Sequence, residues 1–124
     1  MEINAPDVVA EVAKVFTDYE DALVAGDNDR LVDYFWDSPS LIRYGLADRQ
    51  YGADQLRTWR MAQAPLPPGR QLLDTVITAY GTDFAVVNTL FRYPDTPTTG
   101  RQSQTWVRLP AGWRIVSAHV SWQE

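Results

Sequence analysis

The chain has 124 residues, 45% hydrophobic, 22% charged and 12% aromatic, with no cysteine and a formal net charge of −5. That length makes a single domain, residues 1–124, able to bury a sizeable core without disulfides or a structural metal. The charge argues against nucleic acid or a membrane surface as partner, no apolar run approaches a membrane span, and MEINAPDVV lacks the basic start of a signal peptide, so a cytoplasmic protein is expected.

The first element expected is an amphipathic helix from Pro6 to Ala25, because Val8, Val9, Val12, Val15, Phe16, Tyr19 and Leu23 recur at helical spacing. Gly26 should end it. Asp27 or Asn28 can cap a short second helix through Leu31, Val32 and Phe35. SPSLIRYG, Ser38 to Gly45, reads as a strand, and a turn at Ala47-Asp48 leads to a short segment ending at Tyr51-Gly52. Ala53 to Ala64 reads as a third helix, and PLPPG, Pro65 to Gly69, breaks it. Strands follow at Gln71 to Tyr80 and Phe84 to Tyr93, with Gly81-Thr82 as their turn. Pro94 to Gly100 reads as a loop. The last segment, Gly100 to Trp122, reads as two long strands joined at Pro110-Ala111-Gly112. Helices first and an antiparallel meander last imply an α+β layer fold, with the helices on one face of a curved sheet.

The final hairpin points most directly to a site. Alternation puts Gln102, Gln104, Trp106, Val116, Ala118, Val120 and Trp122 on one face, and Arg101, Ser103, Thr105, Val107, Ile115, Ser117, His119 and Ser121 on the other. The first face is the more apolar and should meet the helices. Two amides there are costly unless paired, either with backbone or each other, or with a small polar ligand. His119, the only histidine, falls on the opposite face, where a structural role at a subunit interface is expected rather than general-base work. Arg43, inside an apolar-flanked strand, needs an acceptor: either Glu20 or Asp21 on the first helix, or a ligand carboxylate. The bias of ten Arg to one Lys is what a GC-rich genome produces, yet Arg is also the better bidentate carboxylate clamp. Tyr19 is either a core aromatic or a proton donor to substrate, its pKa lowered if Arg43 is near. Trp36, Tyr51 and Trp59 are expected as cavity walls, and Arg60 as either an exposed helix residue or a second anion contact. One histidine and no cysteine make a zinc site improbable, and there is no phosphate loop or dinucleotide fingerprint.

The segments DYEDAL, FWDSP, LIRYG, YGTDFA, GRQSQTW and GWRIVSAHVS together resemble the AtzH-like family, which includes HpxZ-like proteins, over nearly the whole chain. That family is similar to the nuclear transport factor 2-like, or SnoaL-like, superfamily. The resemblance implies a cystatin-like cone of helices on a strongly bent sheet, usually a homodimer. It further implies a pocket protein of carboxylated-urea breakdown that needs no cofactor. The expected reaction is a decarboxylating amidohydrolysis of a dicarboxylated urea or similar ureido acid, with Tyr19 and Arg43 as the catalytic pair and Gln102, Gln104, Tyr51, Trp36, Trp59 and Arg60 around the substrate. The alternative is a non-catalytic accessory subunit for a neighbouring amidohydrolase. Two positions depart from the family pattern. Asp48 stands where Glu is usual, and Trp59-Arg60-Met61-Ala62-Gln63 lacks a second Arg. If that Arg binds an anion in relatives, the substrate here carries one fewer charge.

Overall fold

The computed structural model describes residues 1–124. Helix α1 runs Pro6–Ala25 and buries Val8, Val12, Phe16, Tyr19 and Leu23 on one stripe. Pro6 suits the first turn, where its missing N–H has no helical acceptor to lose. Gly26 closes the helix with φ 68°, a left-handed conformation that costs a glycine little. Helix α2, Asn28–Val32, is capped by the Asp27 carboxylate, which accepts from the Arg30 N–H. It is shorter than its apolar pattern suggested, because Asp33, Tyr34 and Phe35 continue in tighter i→i−3 bonds. Helix α3, Ala53–Met61, also stops before Ala64, its last turn tightening at Ala62 and Gln63 ahead of Pro65.

Six strands form one sheet: β1 (Ile42–Tyr44), β2 (Arg49–Tyr51), β3 (Gln71–Tyr80), β4 (Phe84–Tyr93), β5 (Thr96–Leu109) and β6 (Gly112–Gln123). Their order is β2-β1-β6-β5-β4-β3. Every pairing is antiparallel except β1 with β6. The expected strand Ser38 to Gly45 shrinks to three residues because Ser38 builds a turn: its hydroxyl accepts from the Ser40 N–H and its carbonyl from Leu41. The expected loop Pro94 to Gly100 is instead mostly strand. Tyr93 pairs with Thr96 across a short turn, and the β-branched threonines that follow suit an extended ladder.

The largest correction lies in the final hairpin. Thr105 pairs with Ser117 but Trp106 pairs with Ile115, so Val116 is an extra residue in β6. A bulge of this kind reverses which face the following side chains take. Ile115 and Trp113 therefore point into the core, where strict alternation placed Val116, while Ala118, Val120 and Trp122 keep their expected inward face. Trp106, fully buried, meets Tyr19 and Tyr34 edge-on at 6.2 and 6.3 Å. Outside the core, Arg108 clamps Glu11 at 2.7 and 3.2 Å and so ties α1 to β5. No helix is long and apolar enough to cross a membrane.

Candidate functional site

The helices and the concave face of the sheet enclose a cavity of about 310 Å³. Its floor is set by strand register. Arg43 lies beside Ala118, which pairs with Gln104; Val120 pairs with Gln102; Trp122 pairs with Gly100, which pairs with Phe91. These are three successive inward rows, about 6.8 Å apart at two residues per step. Tyr19 and Phe35 also line the cavity, and the α3 region contributes Trp59, Arg60 and Gln63.

Arg43 is 8% exposed and uses one nitrogen, Nη1, for two bonds, to Asp48 Oδ1 at 2.8 Å and to Gln50 Oε1 at 3.0 Å. Gln50 Nε2 closes the triangle on Asp48 at 2.8 Å. Its partner is thus Asp48, five residues on, and neither Glu20 nor Asp21. Arg43 and Arg60 both stack on the Trp59 indole, their guanidinium carbons 4.0 and 4.4 Å from its centroid. Arg60 differs from every other buried cation here. It is 7% exposed, it pairs with no carboxylate, and its Nε is buried without any hydrogen-bond partner. Burial lowers its pKa, and the nearby charge of Arg43 pushes the same way, but a guanidinium remains cationic at any ordinary pH. A buried cation without an anionic partner carries a desolvation cost that an anion beside it would offset.

Tyr19 is 4% exposed, lines the cavity, and has no hydrogen-bond partner for its hydroxyl among the protein groups. Burial raises its pKa, against the opposing pull of Arg60 and, more weakly, Arg43. The expected lowering by Arg43 is therefore overturned by desolvation. Tyr19 is a protonated donor at neutral pH.

The two buried glutamines divide their work. Gln102 is committed at both ends: its Oε1 accepts from Arg70 Nη2 at 3.0 Å and its Nε2 donates to Glu20 at 3.2 Å. Gln104 Oε1 accepts from Trp106 Nε1 at 3.1 Å, which leaves its amide N–H groups for the cavity. Sequence reasoning missed the network around Gln102. Arg70 donates to Glu20 Oε1 at 2.9 Å and to the Tyr93 hydroxyl at 3.1 Å, and stacks 4.5 Å over Phe91. Burial pulls the Arg70 pKa down, but its bonds to Glu20 and Tyr93 outweigh that and raise it. Glu20 could have been noticed: it follows Phe16 by four residues, so it borders the apolar stripe and needs a cation.

Two expected wall residues lie elsewhere. Tyr51 is 48% exposed on the outer face of the sheet, its hydroxyl 3.3 Å from that of Tyr44, because Gln50 takes the inward position of β2. Trp36 lines a separate depression with Arg57 and Pro110, since the preceding residue, Phe35, is the one that faces the core. His119 is also outside the cavity, opposite Ser103 and packed edge-on against Tyr44 at 5.7 Å. No three His, Cys, Asp or Glu side chains converge to hold a metal ion.

Helices capping a curved sheet of this strand order, with the pocket between them, define a cystatin-like, nuclear transport factor 2-like protein. The family model for AtzH-like proteins matches residues 1–124, and the chain belongs to that family. It is similar to a cystatin-like fold protein from Burkholderia xenovorans, at 49% identity over 98% of this chain and 96% of that one, with a TM-score of 0.95. A protein of unknown function from Pectobacterium atrosepticum, of the DUF3225 family, is 43% identical over 98% and 95% of the two chains, with a TM-score of 0.95. At 20% identity, a ketosteroid isomerase assignment from Parabacteroides distasonis shares the fold, with a TM-score of 0.74 over 89% of this chain and 86% of that one. Nothing among the curated proteins matches the chain.

Proposed function

We propose that the protein binds a small N-carboxylated urea or related ureido acid and removes the carboxylate as CO₂ without a cofactor. The observation that carries this reading is Arg60, a buried cation with no protein anion, beside a protonated Tyr19 in the same cavity. Arg60 takes the ligand carboxylate, and the Arg43 donors left over by Asp48 and Gln50 assist it. The Gln104 amide donates to the urea oxygen. As the C–N bond breaks, CO₂ leaves, the electron pair stays on nitrogen, and the Tyr19 hydroxyl supplies the proton there. Arg60 stabilises the phenolate until water restores its proton. Catalysis of this kind rests on orientation and electrostatics, not on a covalent nucleophile.

The test is release of CO₂ from an N-carboxylated urea by the wild type and by Tyr19→Phe. Loss of a positioned proton donor should cost about 10²–10⁴-fold in rate, with little change in affinity for a non-reacting ureido acid. Undiminished turnover in the variant would remove Tyr19 from the chemistry. Binding without turnover in the wild type would favour the accessory-subunit reading, with an amidohydrolase as partner. The same variant has a stability signature. The folded pKa of Tyr19 lies above its unfolded value near 10.0, so its contribution is complete below that pH and is lost as pH rises towards the folded value. Urea midpoints should fall less steeply above pH 10 in Tyr19→Phe than in the wild type.

The reading includes a homodimer formed through the outer face of the sheet. Ile42, Tyr44 and Tyr51 are exposed there around His119. Light scattering should give twice the chain mass, and Tyr44→Glu should give the monomer mass. A monomeric wild type would remove this part.

A further inference from the structure

Three buried cations line the cavity, and their charges do not add up to three. Arg43 is neutralised by Asp48 at 2.8 Å, and Arg70 by Glu20 at 2.9 Å. Only Arg60 is left, so the pocket offers one uncompensated positive charge. A ligand with one carboxylate balances it. A second carboxylate would lose its hydration in the cavity and find no free cation to repay that loss.

The chemistry of the floor also changes with distance from Arg43. The first row is polar, with Arg43 and Gln104. Two rows on, roughly 13 Å away, the floor is aromatic. Phe91 and Trp122 meet there with ring centroids 5.5 Å apart. Gly100 makes this possible, because a Cβ at that position would run into the Phe91 ring. Phe91 is buried while Trp122 is half-buried, so the indole is the aromatic surface that a ligand can meet.

We infer that the pocket selects a monoanionic ureido acid bearing an aryl or comparably flat apolar group at the end remote from its carboxylate. This rests on the assignment of Arg60 as the carboxylate site. The carboxylate sits at Arg60, the urea lies along Gln104, and the apolar end stacks on Trp122. Both halves of the selection follow from the cavity itself: one free charge fixes the anion count, and the graded floor fixes the orientation.

Calorimetric titration of the full chain with three probes tests it. These are N-carbamoylglycine, N-(phenylcarbamoyl)glycine, which adds an aryl group at the remote nitrogen, and N-carbamoylaspartate, which adds a carboxylate. The aryl compound should bind at least tenfold more tightly than N-carbamoylglycine, and the dianion at least tenfold more weakly. Trp122→Ala should cut the aryl preference below threefold, and Trp122→Phe should keep most of it. An aryl compound no tighter than N-carbamoylglycine, or a dianion equal to it, overturns the inference. If N-carbamoylglycine still binds and needs Arg60, that result leaves the carboxylate site intact. If none of the three binds, the carboxylate site falls as well.

Discussion

Replacing Arg60 by methionine should do two things that rarely go together: abolish ureido-acid binding and make the fold more stable. The binding loss follows from removing the only unpaired cation in the cavity, since a hydrogen-bonded charge contributes about 1.5–3 kcal/mol, or roughly 10–150-fold in affinity. The gain in stability follows from the same isolation. Arg60 is 7% exposed, has no ion-pair partner and leaves Nε unsatisfied, so in the free protein its stacking on Trp59 repays only part of its desolvation. Methionine fills similar space beside Trp59 without a charge, and relief of about 1 kcal/mol is expected. For a chain of this size that raises the melting temperature by roughly 3–6 °C. A thermal melt with and without N-carbamoylglycine reads both effects. The wild type should be stabilised by the ligand, and the variant should melt higher alone and ignore it. A variant less stable than the wild type would mean that Arg60 is a structural residue.

Glu20→Gln should be the most damaging single change in the cavity wall. Glu20 and Arg70 form an ion pair whose side chains are 9% and 5% exposed, and Gln102 and Tyr93 complete their hydrogen bonds. Removing one charge strands the other in the interior, at a cost of about 3–5 kcal/mol. The loss should appear as a lower urea midpoint with an unchanged slope. Replacing both residues, Glu20→Gln with Arg70→Met, should recover a large part of it, because no charge is then left unpaired. Recovery below 1 kcal/mol would show that Arg70 matters through its packing on Phe91 more than through charge.

Much of this arrangement is legible in the chain. The stripe from Val8 to Leu23 gives α1, and Gly26 ends it where expected. Alternation places Gln102 and Gln104 inside, and both are buried. What alternation cannot reveal is a change of parity. The bulge at Val116 depends on pairing with Trp106 across the hairpin, a fact of register and not of composition. Tyr51 failed for a related reason: on a three-residue strand, the inward position is decided by the neighbours of Gln50, and period two has too little length to assert itself. Pairing across long stretches of chain was equally hidden. Arg43 could be seen to need an acceptor, but Asp48 becomes that acceptor only once β1 and β2 turn back on each other. Glu20 and Arg70 are 50 residues apart, and no local pattern joins them.

The extra residue in β6 also decides what kind of chemistry this pocket can hold. Everything after Val116 is displaced by one position, so Ala118 faces Gln104 and Arg43 while His119 looks outward at Tyr44. Deleting that single residue would slide the imidazole into the place of Ala118, directly over the cavity floor. A scaffold of this shape is therefore one codon away from setting an imidazole, which can both donate and accept a hydrogen bond, in the same cavity as the Tyr19 phenol.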